Sequence, residues 1–485
     1  MNFKPVFHVI AWLLGVVGLL MGVCGLVSFL HGESARVWSA LGYSAAGTVG
    51  AAVLLWLPTR NEQELSRRDG LGVVAFGWLL AGLAGSAPFL LSGVITSPVA
   101  ALFETVSGMT TTGASVIPVL ENVPKGLLLW RSMSQLIGGM GVLILVVAIL
   151  PFAGAGGMQL YRAEMPGPSK DRIEPRVAST AKMLWGVYLL LIVALIILLR
   201  LGGVTWFDAV CHAFTTVSSG GFSTRTASVG AFQSVYVETV LIVFMLLAGI
   251  NFALHYRLLR GEFSAWWRDA EMRFFLAVFI VATLAGTIGL HQARAASGLE
   301  WSGALRQVGF TCASLMTTTG FATADYDQWP ALLKTMLVLL MLMGGCAGST
   351  AGGLKAGRVH VMVKSIFREI RLFMQPQAVI PVRLGRKSLD DELLLAIVSF
   401  IALFGVVTLA GVLAMIPFTA DIETAATSAI TCMANTGPGF AAVGPACNYA
   451  SVPEAGQAIL IALMLIGRLE LYTVLAVFMP AFWRK

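Results

Sequence analysis

The sequence predicts an all-α polytopic membrane protein that crosses the bilayer ten times. Of its 485 residues, 57% are hydrophobic and 12% are charged, whereas soluble domains carry about twice that share of charged residues. Apolar segments of about 20 residues, the length that lets a helix cross the hydrocarbon core, recur along the whole chain. The 52 glycines also suit helices that pack closely within a membrane.

Ten segments are long and apolar enough to be spanning helices. The first is too long for the core of a signal peptide, so we expect it to be retained as a helix. The eighth is long and is interrupted by glycines. The ten predicted spans are residues 6–30, 39–58, 71–93, 126–150, 181–201, 236–256, 273–291, 331–363, 392–416 and 456–482.

Basic residues indicate how these spans are oriented. They concentrate in the loops after the even-numbered spans, within residues 59–70, 162–176, 257–273 and 364–387. Short cytoplasmic loops carry such an excess of lysine and arginine. Both termini are therefore predicted to be cytoplasmic, and the net charge of +7 reflects membrane topology and not binding of nucleic acid.

Several function classes lack support in the sequence. The six cysteines are scattered and form no CxxC pair, so neither a zinc site nor a disulfide framework is predicted. No HExxH, GxSxG or Walker motif is present, so an enzyme is not predicted.

Four shorter apolar segments, each of about 12 residues, lie in the outward-facing connections. Each is too short to span and ends in a turn rich in Thr, Ser or Asn with a glycine, which predicts a half-helix that dips into the membrane and returns as extended chain. The four glycines are Gly113, Gly221, Gly320 and Gly437, spaced by 108, 99 and 117 residues. This period predicts four similar units around one axis.

The repeat also sets the predicted domain boundaries. Two N-terminal spans precede the repeats, and each repeat has the order span, half-helix, span. The boundaries are 1–69 for the two N-terminal helices and 70–180, 181–270, 271–388 and 389–485 for the four repeats, the third of which contains the glycine-rich segment.

Four polar glycine turns around one axis are typical of a cation filter. A dehydrated K⁺ needs several oxygen ligands, which rings of backbone carbonyls supply, and glycine permits the backbone conformations that such rings require. One such turn alone would be an ordinary helix C-cap, but four in register favour a filter. The predicted filter and metal-binding residues are Thr111, Thr112, Gly113, Ser219, Gly220, Gly221, Thr318, Thr319, Gly320, Asn435, Thr436 and Gly437.

Over nearly its whole length the sequence resembles the TrkH/KtrB family of prokaryotic potassium-uptake proteins, and within it the TrkH branch. The resemblance is strongest at residues 130–141 (WRSMSQLIGGMG), 248–256 (AGINFALHY), 344–355 (GGCAGSTAGGLK) and 435–439 (NTGPG). It implies potassium transport, described for the family as symport, across the bacterial inner membrane. It also implies a homodimer with one pore per subunit and a cytoplasmic nucleotide-binding regulatory subunit of the TrkA type, with no organic cofactor on this chain.

The resemblance also implies a gate. Residues 344–353 hold five glycines, which is compatible either with close helix packing or with a loop that blocks the path below the filter. The second interpretation assigns gating to Gly344, Gly345, Gly348, Gly352, Gly353 and Lys355.

Arg468 is the last gating candidate, because it falls near the middle of the tenth predicted span. A charge at that depth needs a partner or water. It is expected either to form an ion pair with another repeat or to stand as a fixed positive charge beside the cation path.

Other charged residues leave their interpretation open. Glu104, Asp208 and Glu423 are expected near the starts of the half-helices, where they would either complement the helix dipole or attract cations to the mouth. His212 and His255 have no ligand partners at metal spacing and are predicted to be structural. The basic loop 364–387 is expected to face the cytoplasm, and it could also meet anionic lipid or the regulatory subunit.

The transported ion and the coupling also stay open. Na⁺ or another monovalent cation is the alternative substrate. The sequence does not decide between channel-like conduction and proton-coupled symport.

Overall fold

The computed structural model describes residues 3–59, 67–149, 174–294, 298–385, 387–469 and 471–483. These residues form an almost entirely helical protein, as the sequence predicts. The predicted basic loop between the fourth and fifth spans, and the basic residues at the C-terminus, lie outside the described residues. A helix is present at the position of each of the ten predicted spans.

Six of the described helices are each long and apolar enough to cross a membrane, and two bent helix pairs pass the same test when each is taken together. Their lipid-facing sides carry exposed leucine, valine and isoleucine, for example Leu19, Val281 and Leu395. The helices at the ten predicted positions are Phe3–Leu30, Ala35–Trp56, Arg67–Ser92, Lys125–Ile149, Glu174–Leu201, Val235–Gly249, Ala270–Arg294, Ala331–Met343, Asp391–Met415 and Glu454–Arg468, which we number as spans 1 to 10.

The four predicted half-helices are present between spans 3 and 4, 5 and 6, 7 and 8, and 9 and 10. Three of them begin at a side-chain cap: Ser97, Thr205 and Asp421 each accept a hydrogen bond from a backbone N–H of the first turn, which satisfies a donor that the helix leaves unpaired. Half-helices 1 to 4 are Pro98–Met109, Trp206–Val217, Trp301–Met316 and Ile422–Ala434.

Spans 6, 8 and 10 are broken, and for spans 6 and 10 the prediction of one continuous helix was wrong. Span 6 ends at Gly249 and the chain continues as Phe252–Leu259 after a bend of 103°. Span 10 ends at Arg468 and a separate helix follows at Leu471–Phe478. Each break leaves carbonyls that no helical N–H reaches, and these carbonyls meet other parts of the chain. Span 8 ends at Met343, as its glycines predict.

The first part of the predicted basic loop 364–387 is helical. A helix runs from Ala356 to Met374, and a short antiparallel hairpin follows it, with strands Arg383–Leu384 and Lys387–Ser388. Two further helices are Phe263–Arg268 and Pro480–Trp483. Short 3₁₀ turns occur at Leu57–Thr59, Ser228–Phe232, Tyr326–Gln328, Ile416–Phe418, Ala441–Val443 and Tyr449–Ser451.

Candidate functional site

The four half-helices end in turns that share one backbone conformation. In each turn, a residue two positions before the aligned glycine is left-handed: Thr111, Ser219, Thr318 and Asn435 have φ between 52° and 58°. The glycines Gly113, Gly221, Gly320 and Gly437 follow with φ of 84°, 75°, 81° and 96°. Left-handed φ is unfavourable for a β-branched residue such as threonine, and backbone strain of this kind is found mostly at functional sites. We call residues 110–114, 218–222, 317–321 and 435–439 turn loops 1 to 4.

One hydrogen bond fixes each turn in the same way. The N–H of the residue before the glycine donates to a carbonyl five residues earlier, from Thr112 to Ser107 at 2.8 Å and from Thr436 to Thr431 at 2.9 Å. Turn loops 2 and 3 repeat this bond at 2.8 Å. The bond caps the half-helix and turns the chain back, as in common helix C-caps. The cap and the return of the chain are therefore one structure repeated four times.

The turn loops close into a ring in sequence order. A Cβ atom added to Gly113 would strike the carbonyl of Gly220, and one added to Gly221 would strike that of Thr319. A Cβ at Gly320 would meet the Thr436 carbonyl, and one at Gly437 would meet the Thr112 carbonyl. Each glycine therefore lies directly against the next turn loop, and the fourth lies against the first. The structure brings all twelve predicted filter residues together in this ring.

The surroundings of the ring favour a cation. The C-terminal ends of the four half-helices, which carry partial negative charge, lead directly into the turn loops. Among the described residues, Thr111 Oγ1, Thr436 Oγ1 and Asn435 Oδ1 are buried oxygens without a hydrogen-bond partner. Buried polar atoms are rarely left unpaired, so these oxygens are available to a bound cation.

Turn loops 2 and 4 are each supported by a side chain that the sequence prediction did not include. Gln135 in span 4 donates from Nε2 to the Gly220 carbonyl at 2.7 Å and accepts from the Phe222 N–H at 3.1 Å. The Tyr449 hydroxyl donates to the Gly437 carbonyl at 2.7 Å. These supporting side chains differ between repeats. The four turn loops therefore share a backbone conformation but have different side-chain surroundings.

The glycine-rich segment after span 8, residues 344–355, is hydrogen-bonded to two of the turn loops; we call it the glycine loop. The Thr350 hydroxyl donates to the Val217 carbonyl at 2.9 Å and lies 2.8 Å from Ser219 Oγ. The Gly352 N–H donates to Thr318 Oγ1 at 2.7 Å. The loop is thus tied to the left-handed residues of turn loops 2 and 3.

The break in span 6 receives the other side of the glycine loop. The Cys346 N–H donates to the Gly249 carbonyl at 2.8 Å, and the Phe252 N–H donates to the Gly348 carbonyl at 3.1 Å. Positive φ angles at Gly344, Gly348 and Gly353 let the loop fold into this space. This contact is the physical reason that span 6 is not continuous. Lys355 ends the loop, and its Nζ donates to the Ala351 carbonyl within it.

Of the two predicted interpretations of Arg468, the ion pair is not formed within the described residues, and the fixed charge beside the cation path stays a prediction. The Arg468 guanidinium donates from Nη1 to the Thr350 carbonyl at 2.8 Å and from Nη2 to the Gly138 carbonyl at 3.3 Å. It is 5% exposed, and within the described part of the chain no carboxylate pairs with it. A positive charge is therefore present at this depth, and it also holds the glycine loop against span 4.

Glu104 was wrongly predicted to lie near the start of a half-helix. It lies midway along half-helix 1, is 1% exposed and pairs with Arg131 of span 4 at 2.7 Å. Arg131 also donates to the Ser223 carbonyl at 3.1 Å and stacks over Phe222 at 4.0 Å. This buried ion pair therefore joins repeat 1 to the chain that leaves turn loop 2.

Asp208 and Glu423 do lie in the first turns of their half-helices, and both are paired. Asp208 contacts Arg225 at 2.9 Å, and Glu423 contacts Lys334 at 2.9 Å. His212 lies 2.7 Å from the Asp208 carbonyl, a structural contact of the predicted kind.

Bonds between repeats continue outside the ring. The Glu121 carboxylate accepts hydrogen bonds from the Thr226 hydroxyl and from the Thr226 N–H. The bond from the hydroxyl lowers the pKa of the Glu121 carboxyl most, and the bond from the N–H lowers it further. The Gly230 N–H donates to the Ala322 carbonyl at 3.1 Å, and the Tyr449 N–H donates to that of Ser115 at 2.8 Å. These bonds connect repeat 1 with repeat 2, repeat 2 with repeat 3, and repeat 4 with repeat 1, in the chain that follows the turn loops.

Four residues of this site were missed from the sequence: Arg131, Gln135, Thr350 and Tyr449. Arg131 and Gln135 had a usable signal, since they are an arginine and a glutamine in an otherwise apolar span, and such residues face protein in membranes. Thr350 is one of two hydroxyl residues in the glycine loop. Tyr449 gave no signal, because its partner depends on the fold of a loop.

Known proteins resemble this chain over its full length. The family model described as "TrkH: Cation transport protein" matches residues 44–485. The Trk system potassium uptake protein TrkH of Salmonella typhimurium is 39% identical, and TrkG of Escherichia coli is 36% identical over 89% of this chain and 88% of its own. The match to the Salmonella typhimurium protein covers both chains completely. The crystal structure of the potassium transporter TrkH from Vibrio parahaemolyticus superimposes with a TM-score of 0.91 at 33% identity, covering both chains in full.

The ion pair of Arg131 and Glu104 predicts a large stability effect. Arg131→Met leaves Glu104 as an unpaired buried charge and should lower the free energy of unfolding by about 3–5 kcal/mol. The double variant Arg131→Met/Glu104→Leu should recover much of this loss, since both charges are gone. Denaturation in mixed micelles measures these values.

The exposed pair Arg257–Glu262 provides the control, because Arg257→Met should cost at most about 1 kcal/mol. Equal losses for Arg131→Met and Arg257→Met would contradict the assigned role of the buried pair.

Proposed function

This chain belongs to the TrkH family of cation transport proteins, and we propose that it carries potassium ions across the membrane through the ring of turn loops. It is a multi-pass membrane protein of a transport family and not an enzyme. The transported K⁺ is its substrate. The relatives named above are described as potassium uptake proteins or transporters, which supports K⁺ over other cations.

The observation that carries this proposal is the closed contact of the four glycines with their neighbouring carbonyls. Such a ring gathers backbone oxygens from four loops at the ends of four helix dipoles, an arrangement that replaces the hydration shell of a cation. The buried oxygens of Thr111, Asn435 and Thr436 that lack partners add ligands. Together these backbone and side-chain oxygens make the twelve predicted filter residues a selectivity filter.

The glycine loop is the proposed gate. Its bonds to Ser219 and Thr318 support a position directly below the filter, where a loop of backbone and small side chains obstructs the path. Opening requires these bonds and those of Arg468 to Thr350 and Gly138 to break. Arg468 therefore has two roles in the proposed gate. Its hydrogen bonds anchor the glycine loop, and its positive charge raises the barrier to a passing cation.

The family membership supports the rest of the assembly. We place both termini in the cytoplasm of a bacterial inner membrane, with the filter towards the outside. We further propose a homodimer and a cytoplasmic regulatory subunit of the TrkA type, which would bind the controlling nucleotide. Motion of that subunit would reach the glycine loop through the helix Ala356–Met374 that follows it.

Flux into proteoliposomes tests the proposed filter. The parent protein should take up ⁸⁶Rb⁺, and K⁺ should compete with this uptake far better than Na⁺. Gly113→Ser places a side chain at φ 84° and against the Gly220 carbonyl, so it should reduce discrimination against Na⁺ by roughly tenfold, equivalent to about 1.4 kcal/mol.

Gly405→Ser is the matched control, because a Cβ there meets nothing within 4 Å. It should leave the Na⁺ competition unchanged. If Na⁺ competes as well as K⁺ in the parent, the chain is a transporter of another monovalent cation. An unchanged ratio in folded Gly113→Ser would mean that this ring is not the filter.

Substitutions of Arg468 test the proposed gate. Arg468→Ala removes both bonds to the carbonyls of Thr350 and Gly138 and should raise K⁺ flux roughly tenfold or more, since a hydrogen bond from a charged group is worth about 1.5–3 kcal/mol. Arg468→Lys keeps the charge but loses the two-pronged geometry. It should also raise flux, to a smaller extent.

Tracer flux per folded protein compares these variants with the parent, and size-exclusion elution checks that each variant is folded. Arg268→Ala, at an exposed arginine, should behave as the parent. If Arg468→Lys conducts like the parent while Arg468→Ala conducts more, the charge alone forms the barrier and the anchoring role is wrong. Lower flux in folded Arg468→Ala would contradict both roles.

A further inference from the structure

The helix Ala356–Met374 carries two distinct stripes, and we call it the basic helix. His360, Lys364, Arg368 and Arg371 recur every three or four residues and therefore lie on one face. An exposed apolar stripe begins beside them at Phe367, which is 61% exposed, and continues around the helix through Ile370, Ile366 and Phe373, whose exposed fractions are 51%, 52% and 90%. A basic face next to an apolar face is typical of helices that lie in the membrane interface.

A groove separates the basic stripe from the chain around it. One part, of about 390 Å³, lies between His360 and Lys364 on the basic helix and Arg273 at the start of span 7. The adjoining part, of about 360 Å³, lies between Arg368, Arg371 and the segment 380–383. Lys364 lines both parts. The two together are large enough for a phosphate group and its attached glycerol.

The charge of this groove is only partly balanced. Asp391 accepts from Arg368 Nη1 at 2.8 Å, and Lys364 Nζ donates to the Arg383 carbonyl at 2.8 Å. Within the described residues, no carboxylate lies within salt-bridge distance of Arg371 or Arg383. Arg368 Nε is buried there without a hydrogen-bond partner. Net positive charge and a free buried donor both favour an anionic ligand.

The position of the groove favours a lipid over a soluble anion. Spans 7 and 9 begin next to it, at Ala270 and Asp391, on the side of the protein opposite to the starts of the half-helices. The groove therefore lies where a spanning helix leaves the hydrocarbon, at headgroup depth. A soluble phosphate would not need the apolar stripe of Ile366, Ile370 and Phe373, whereas acyl chains would cover it.

We propose that this groove binds the phosphate headgroup of an anionic phospholipid, with its acyl chains along the apolar stripe of the basic helix. Clusters of lysine and arginine next to a spanning helix bind such lipids. Because the basic helix directly follows the glycine loop, a bound lipid would fix the helix that any opening of that loop must move. The site is independent of which cation the protein carries.

Lipid titration of the full chain, purified in neutral detergent and stripped of lipid, tests this proposal. Short-chain phosphatidylglycerol should raise the midpoint of thermal unfolding in a saturable manner. Arg371→Gln/Arg383→Gln changes two exposed residues and should raise the lipid concentration at half-saturation by about fivefold for each charge removed. Arg260→Gln/Arg268→Gln removes two exposed charges elsewhere in the cytoplasmic segments and should leave half-saturation unchanged.

Two other ligands and the oligomeric state of a variant distinguish an anionic lipid from the other possible occupants: a neutral lipid, a soluble anion or a second copy of the chain. Phosphatidylcholine with the same acyl chains, and inorganic phosphate alone, should each bind much more weakly than phosphatidylglycerol. Equal binding of phosphatidylcholine would make the site merely apolar, and equal binding of inorganic phosphate would make it a site for soluble anions. If Phe373→Ser dissociates the protein on size exclusion without changing lipid affinity, the stripe pairs two copies of the chain. Each of these results would overturn the proposal.

Discussion

The contact between each turn-loop glycine and the carbonyl of the next turn loop is the constraint on which the rest of the structure depends. The contact leaves no room for a Cβ atom, and the positive φ of the same residue disfavours any side chain. Closing four such contacts requires four half-helices to end at one depth around one axis. The spans provide this by holding each half-helix between two of them, so the repeated architecture and the four glycines require each other.

The ring is nearly fourfold in its backbone, whereas its supports are not. Turn loop 2 is held by Gln135 and turn loop 4 by Tyr449. The glycine loop forms side-chain hydrogen bonds with the left-handed residues of turn loops 2 and 3, and at Gly352 it packs against Asn435 of turn loop 4. If the glycine loop is the gate, as proposed, its release breaks hydrogen bonds to turn loops 2 and 3 and leaves the supports from Gln135 and Tyr449 in place.

Sequence patterns predicted those parts of the molecule that depend on local chemistry. The ten apolar segments, the half-helices and their closing glycines follow from hydrophobic length and from the backbone freedom of glycine. The breaks in spans 6 and 10 were not predictable, because their cause is a distant partner: the glycine loop that bonds to Gly249 and to the end of span 10 at Arg468. The buried partner of Glu104 was missed for the same reason, since Arg131 lies 27 residues away on another helix. The filter, gate, dimer and regulatory subunit stay predictions that the family membership supports.

The location of a bound Rb⁺ ion shows directly whether the ring of turn loops is the filter. Crystals grown with Rb⁺ in place of K⁺ give an anomalous signal that identifies the ion without reference to the protein density. A filter at the ring should give a peak inside it, with oxygen ligands from all four turn loops, and this peak should be lost in Na⁺. A Rb⁺ site bounded by fewer than four turn loops, or one that persists unchanged in folded Gly113→Ser, would contradict a filter at the ring.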